Sequence, residues 1–241
     1  MRVAELVGIT HRYNDQVAIK NLSIGFEANK TTAIIGMSGS GKSTALQLIN
    51  GLARPTLGNV RIFNQALDYN DLTSLRLKIG YMVQGTGLFP HLTVEQNISI
   101  ASKLTGEKIN PYTRTEELMR LVNLPNSFKR KYPYELSGGE LQRVGICRAL
   151  FLNPPLLLMD EPLGALDPIT RQEIQNEILD LQKIEPRSMI LVTHDLREAK
   201  KLADFILVLD NGALIQFDTT ENVLKRPGNE KIKKLIDASL S

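Results

Sequence analysis

The sequence predicts an α/β domain with a mainly parallel sheet, an N-terminal antiparallel β subdomain and an inserted helical subdomain. Three observations predict it. Short apolar runs recur along the chain: "TTAIIG" (31–36), "IGYMVQ" (79–84), "LLLMD" (156–160), "MILVTH" (189–194) and "FILVL" (205–209). Runs that are apolar almost throughout are expected of parallel strands covered by helices on both faces. Longer helix-like stretches alternate with them, which is the α/β pattern. The first thirty residues differ, being short and partly alternating.

The elements follow in order. "LVGITHRY", "NLSIGFEA" and the later "NVRIF" read as strands of a small antiparallel sheet beside the core. "TALQLINGL" reads as a helix after the first core strand. "TVEQNISIASKL", "RTEELMRLVNL" and "GELQRVGICRALFL" place a helical subdomain at about 88–153, inserted between core strands. The tail, about 229–241, reads as one short amphipathic helix whose lysines form a solvated face. Neither an internal repeat nor a low-complexity linker interrupts residues 1–241, so one domain is expected.

Composition narrows the function. Hydrophobic residues make up 42% and charged residues 23%, enough apolar content for a real core. The net charge of +3 is spread along the chain, without the basic stripe that nucleic acid favours. Cys147 is the single cysteine, so an intrachain disulfide is impossible and a reducing compartment fits. "MRVAELVGIT" carries Glu5 where a signal peptide would be apolar. No apolar run approaches the roughly 20 residues of a membrane helix. If the protein works at a membrane, other subunits must cross it.

"GMSGSGKST" fits G-x-x-x-x-G-K-[ST] through Gly36, Gly41, Lys42 and Ser43. It follows an apolar strand and opens a helix, the context in which this loop cradles phosphates. Its glycines let backbone N–H groups wrap the anion, and the helix dipole adds to them. Lys42 is expected to reach the β- and γ-phosphates and Ser43 to ligate Mg²⁺, with Ser38, Gly39, Ser40 and Thr44 completing the ATP cradle. The plainer reading is a glycine turn between strand and helix.

"LLLMDEP" ends a strand in two acids. The C-terminal ends of strands face the ligand crevice of an open α/β sheet. Successive strand side chains point to opposite faces, so the two acids can differ in task. Asp160 is expected to hold Mg²⁺ through water, and Glu161 to polarise the attacking water. His194 ends another such run and can orient that water from the γ-phosphate. Alone, an acidic turn and a structural histidine would be the plainer readings; a phosphate loop upstream favours the functional ones.

"ELSGGELQRVGICRAL" (135–150) raises a second question. Ser137 and Glu140 are spaced as a capping box. Gly138 and Gly139 nevertheless weaken the first helical turn, by up to about 1 kcal/mol each. That cost fits close approach of another group to the backbone. The chain already has one phosphate loop, so Ser137, Gly138, Gly139 and Glu140 are expected to meet the nucleotide of a second copy across a two-fold, head-to-tail ATP-dependent dimer.

Taken together, these motifs resemble the ATP-binding subunit of ABC transporters, whose core is that of a P-loop NTPase. "GMSGSGKST" looks like the Walker A motif, "LLLMDEP" like Walker B, "LSGGE" like the signature, "GALD" like the D-loop centred on Asp167, and "VTHD" like the switch-histidine segment. "YMVQGTGLFPHLTVEQNI" resembles the Q-loop, which makes Gln84 a sensor of Mg²⁺ and of the transmembrane subunit, with Gly85 and Gly87 as hinge. Tyr13 lies 23 residues before Gly36 (36 − 13), where the family places an aromatic ring on adenine. Two departures occur. Glu140 stands where glutamine is usual, and "ANK" replaces the frequent "PGE" turn.

A finer resemblance is to importers of quaternary-amine osmoprotectants such as glycine betaine, choline or carnitine. It is carried by "YPYELSGGELQRVGICRAL" and "PPLLLMDEPLGALDPITRQEIQNEILDLQK". It implies permease subunits, a substrate-binding protein and a peripheral place on the cytoplasmic face of the membrane. The sequence given ends at Ser241, so the C-terminal regulatory pair found in many members is not expected. An exporter or lipid-trafficking ATPase is the alternative within transporters. A DNA-repair or chromosome ATPase would need a long coiled-coil insertion, and a translation factor would need two cassettes.

Overall fold

A computed structural model describes residues 1–104, 109–164 and 166–240. In chain order, β1 (Arg2–Tyr13), β2 (Gln16–Glu27) and β3 (Thr31–Ile35) precede α1 (Lys42–Ile49). β4 (Leu57–Ile62), β5 (Gln65–Ala66) and α2 (Thr73–Arg76) lead to β6 (Ile79–Met82). α3 (Val94–Ser99), α4 (Pro111–Leu121) and α5 (Gly138–Leu150) come before β7 (Leu156–Asp160). Then follow α6 (Pro168–Ile184), β8 (Ser188–Thr193), α7 (Leu196–Leu202), β9 (Phe205–Asp210), β10 (Ala213–Thr219), α8 (Thr220–Lys225) and α9 (Glu230–Leu240). Two compact units result: Met1–Arg76 with the chain from Arg187 onward, and Leu77–Pro186.

In the first unit, β3 lies between β8 and β9, parallel to both, with Ile34 opposite Val192 and Leu207. Every residue of β3 and β8 is buried, which is why both read as uninterrupted apolar runs. β1 sits between β2 and β4 in an antiparallel sheet ordered β2-β1-β4-β5. The predicted α/β class, with a parallel core and an N-terminal antiparallel sheet, is therefore what forms. The hairpin of β9 and β10 goes beyond the sequence reading. Asn211 and Gly212 both have left-handed φ, at 47° and 79°, and turn the chain into an antiparallel partner for β9. α9 buries Ile232 and Ile236, one turn apart, and leaves Lys231, Lys233 and Lys234 exposed.

In the second unit, β6 and β7 pair in parallel, Met82 opposite Met159. α5 packs against β6 so closely that a Cβ on Gly80 would lie 2.3 Å from the Ala149 carbonyl oxygen. α5 and α6 are tied by Arg143, whose Nε donates to both carboxylate oxygens of Glu177 at 3.1 Å. Cys147 is buried on α5, and burial pushes its thiol well above the ordinary range, so it is chemically inert.

Candidate active site

The phosphate loop connects β3 to α1. Gly36 has room for no side chain: a Cβ there would meet the Leu209 carbonyl oxygen at 2.3 Å and Ser40 Oγ at 2.5 Å. Gly41, at φ 99°, is the N-cap of α1 and brings no capping side chain. Helices α3 to α8 are each begun by a capping side chain, from Thr93, Asn110, Ser137, Asp167, Asp195 and Thr219. The first turn of α1 also holds no acid. The positive end of its dipole, with no capping side chain and no acid over it, suits an anion. Lys42 is buried and folds over the loop, donating from Nζ to the Gly36 and Met37 carbonyls at 2.9 Å each. Ser40 Oγ is buried without a partner. The hairpin turn supports the loop from behind, since Gly212 N–H donates to the Ser40 carbonyl at 3.0 Å. Ser38 and Gly39 are exposed; Ser43 and Thr44 are half-buried in the first turn of α1.

Tyr13 ends β1 and is 47% exposed, so a ring face is open to stacking. Its hydroxyl donates to Gln47 Oε1 on α1 at 2.8 Å, which fixes the ring beside the helix that the loop opens. His194 lies one residue beyond β8 and is exposed. It lines, with Gly36, Met37 and residues of α9, a cavity of about 470 Å³. The phosphate loop, Tyr13 and His194 all belong to the first unit.

The second unit carries the remaining candidates. Asp160 is buried at the end of β7. Beside it on β6, burial and then the Asp160 carboxylate push the Tyr81 phenol up to about 12. Glu161 is no longer in the strand. Its φ of 47° is left-handed, so strand alternation does not carry on to it. Gln84 also lies beyond its strand, because β6 stops at Met82. Its Nε2 donates to Glu161 Oε2 at 3.1 Å. Gln84, Glu161 and Gly138 share the lining of a cavity of about 360 Å³.

The capping box closes as the spacing predicts. Ser137 Oγ accepts from Glu140 N–H at 3.4 Å, and Ser137 N–H donates to Glu140 Oε2 at 2.7 Å. The two glycines differ. Gly138 is exposed, and a Cβ there would only touch Leu166 at 3.7 Å. Gly139 is buried, and a Cβ there would lie 2.3 Å from Thr170 Cγ2 on α6. Close packing within the chain therefore accounts for Gly139 and leaves Gly138 unexplained. Asp167 caps α6, accepting from Ile169 and Thr170 N–H at 3.1 and 3.0 Å. Hydrogen bonds from Thr170 foremost hold its carboxyl below the usual range. Ala165 of the "GALD" segment lies outside the described residues.

The ABC transporter family profile matches residues 19–164, more than half of the chain. The chain belongs to the ABC transporter family. The carnitine transport ATP-binding protein OpuCA of Listeria monocytogenes is 43% identical over 91% of this chain and 55% of its own length. The choline transport ATP-binding protein OpuBA of Bacillus subtilis is 42% identical over 91% of this chain and 58% of its own. The chain thus spans little more than half the length of these relatives. It covers 77% of the glycine betaine uptake system ATP-binding protein YehX of Escherichia coli, at 37% identity. A dimeric ATP-binding cassette in a post-hydrolysis state, bound to ADP and phosphate, matches with a TM-score of 0.83 at 32% identity, covering 90% of this chain and 98% of that one.

Several supports of this candidate site escaped the sequence reading. Gln47 anchors Tyr13, and Arg148 donates to the carbonyls of Thr86 and Gly87 at 2.5 and 2.8 Å. Asn97, fully buried, accepts from Phe89 N–H and donates to the carbonyls of Phe89, Leu92 and Thr93. Gly85 and Gly87 were expected as a flexible hinge. Both have left-handed φ, 71° and 56°, and the turn they form is held by Arg148.

Proposed function

We propose that the chain is the ATP-binding and hydrolysing subunit of a membrane importer for a quaternary-amine osmoprotectant. The observation that carries the ATP site is the uncapped start of α1 behind the glycine loop, with Lys42 folded over it. The solute class rests on likeness to OpuCA, OpuBA and YehX, whose names specify carnitine, choline and glycine betaine.

In this reading the loop N–H groups and Lys42 bind the β- and γ-phosphates, Lys42 exchanging its two carbonyl acceptors for phosphate oxygens. Tyr13 stacks on adenine. The Ser43 hydroxyl, the Gln84 amide oxygen and the Asp160 carboxylate are hard oxygen donors, and one carboxylate with neutral oxygens is the protein share that Mg²⁺ takes beside phosphates and water. These three residues would hold Mg²⁺, which neutralises charge on the phosphates when bound. Glu161 accepts a proton from the attacking water as its oxygen bonds to the γ-phosphorus and ADP leaves. His194 donates to the γ-phosphate and orients that water. The hydroxyl of Ser137 and the N–H groups of Gly138 and Gly139 close on the γ-phosphate of a second copy, and Asp167 abuts that copy's site.

Permease subunits would receive the surface from Gly87 to Ile98 and hold the chain peripherally on the cytoplasmic face of the membrane. Among the described residues no helix is long and apolar enough to cross it. A substrate-binding protein would deliver the solute. The test is uptake of labelled glycine betaine, choline and carnitine at high osmolarity in cells with and without the gene. Loss of uptake that returns with the wild type but not with Glu161→Gln supports the reading; unchanged uptake of all three rejects the solute class.

A further inference from the structure

Three consecutive residues after Gln84 are left-handed: Gly85 at φ 71°, Thr86 at 66° and Gly87 at 56°. Two are glycines, for which this costs little. Thr86 is β-branched and buried, and a β-branched residue at such a φ is a genuine outlier. Strain of this kind persists only where the surroundings over-determine it, and it clusters at functional sites.

The surroundings here are specific. Arg148, near the C-terminal end of α5, donates from Nη2 to the Thr86 carbonyl at 2.5 Å and from Nη1 to the Gly87 carbonyl at 2.8 Å. It makes no ion pair among the described residues, so its fork is committed to this turn. One helical turn earlier, Thr86 packs at ordinary contact distance over Gly145: a Cβ at 145 would lie 3.3 Å from Met82 Cε and 3.6 Å from Thr86 Cβ. A Cβ at Gly87 would lie 2.5 Å from Val83 Cγ2, which closes the turn from the strand side. The strained turn is thereby fixed to α5. It begins one residue after Gln84, whose amide reaches Glu161.

We infer that Arg148 is a positioning residue for Gln84. By clasping the strained 85–87 turn, it holds the Gln84 amide at the reach that meets the Glu161 carboxylate. This rests on the proposed hydrolytic role of Glu161 and adds the residue that sets its neighbour. Lysine cannot replace arginine here, because a point donor serves one carbonyl where a planar fork serves two.

The experiment uses the full chain with Arg148→Lys, Thr86→Gly and both together. Glycine at 86 removes the strain, so the turn no longer needs the clasp. Amide exchange at 85–88, measured without nucleotide, should rise about tenfold or more in Arg148→Lys and return toward wild type in the double variant. The kcat for ATP should fall about tenfold in Arg148→Lys, as expected of a misplaced group. KM should stay within about twofold, since the phosphate loop is untouched. The double variant should recover kcat to within about threefold. Exchange that does not rise overturns the clasp. Exchange that rises with unchanged kcat, a KM that moves with kcat, or failure of Thr86→Gly to rescue overturns the positioning role. A wild-type chain that hydrolyses no ATP, while Arg148→Lys still loosens 85–88, overturns the hydrolytic reading and the role of Arg148 within it, but leaves the clasp standing.

Discussion

Replacing Gly138 and Gly139 by alanine, one at a time, should separate two reasons for having a glycine. A Cβ at 138 meets only Leu166 at 3.7 Å, an ordinary contact. Alanine there should strengthen the start of α5 by about 0.5–1 kcal/mol. For a chain of this size that raises Tm by about 1–4 °C. A Cβ at 139 lies 2.3 Å from Thr170 Cγ2, so the Thr170 side chain must rotate away or α5 and α6 must part. Overpacking of this kind costs about 1–3 kcal/mol, a fall of about 2–12 °C. If the backbone at 138 meets the γ-phosphate of a second copy, the same methyl that stabilises the chain should obstruct the dimer. Sedimentation with ATP and Mg²⁺, in the Glu161→Gln background, reads this directly. Dimerisation should weaken at least about tenfold when Gly138→Ala is added, while ATP binding to the single chain is unchanged. A Gly138→Ala protein that melts higher and dimerises as well as its parent would refute the composite site. Substituting Gly139 cannot decide the matter, because it disturbs Thr170 within its own chain first.

Glu161→Gln should bind ATP normally and hydrolyse it about 10²–10⁴-fold more slowly, measured by phosphate release; near-normal turnover would remove Glu161 as the base. The Tyr81 phenol, raised from 10.0 to about 12 chiefly by burial, stays protonated in the folded chain where the unfolded chain has lost its proton. Its stabilising contribution is therefore full below about pH 10 and lost as pH rises toward about 12. Tyr81→Phe should flatten the fall of denaturation midpoint across that window, and an unchanged slope would contradict the assignment. Asn97→Leu strands the Phe89 N–H and the Leu92 carbonyl, while the Phe89 and Thr93 carbonyls keep backbone N–H partners, and should cost about 2–4 kcal/mol by urea denaturation. A loss under about 1 kcal/mol would mean that water replaces Asn97 there.

The parts of this molecule that were legible in its sequence are those whose physics is local. A glycine loop between strand and helix needs only nine residues, and Ser137 meets Glu140 within one turn. Apolar runs announce parallel strands because both faces are covered. The β9–β10 hairpin is also written locally, in Asn211-Gly212. Its second strand, "ALIQFDT", is half-buried or exposed throughout and lacks the apolar run that marks the other strands. What stayed hidden was pairing across distance. Tyr13 meets Gln47 across 34 residues and Arg148 meets Gly87 across 61. No periodicity encodes such partners, since either arginine of "QRVGICR" could have pointed to solvent.

The starts of α1 and α5, both phosphate sites in the proposed reading, differ in their chemistry. α1 begins without a side-chain cap and so presents an uncapped dipole end to phosphate, and the strand–loop–helix pattern alone reveals it. α5 begins with a closed capping box, which satisfies the N–H of Glu140 and the N–H of Ser137. Ser137 accepts there and still keeps its hydroxyl proton to donate. A helix that spends its cap on itself and still keeps an exposed Gly138 beside a donor hydroxyl offers less to a phosphate than α1 does. Under the proposed function such a site would hold phosphate weakly alone and would add to one already bound by another chain. If α5 meets the nucleotide of a second copy as proposed, the unequal chemistry of the two starts would order assembly: nucleotide first on the loop of one copy, then closure by α5 of the other.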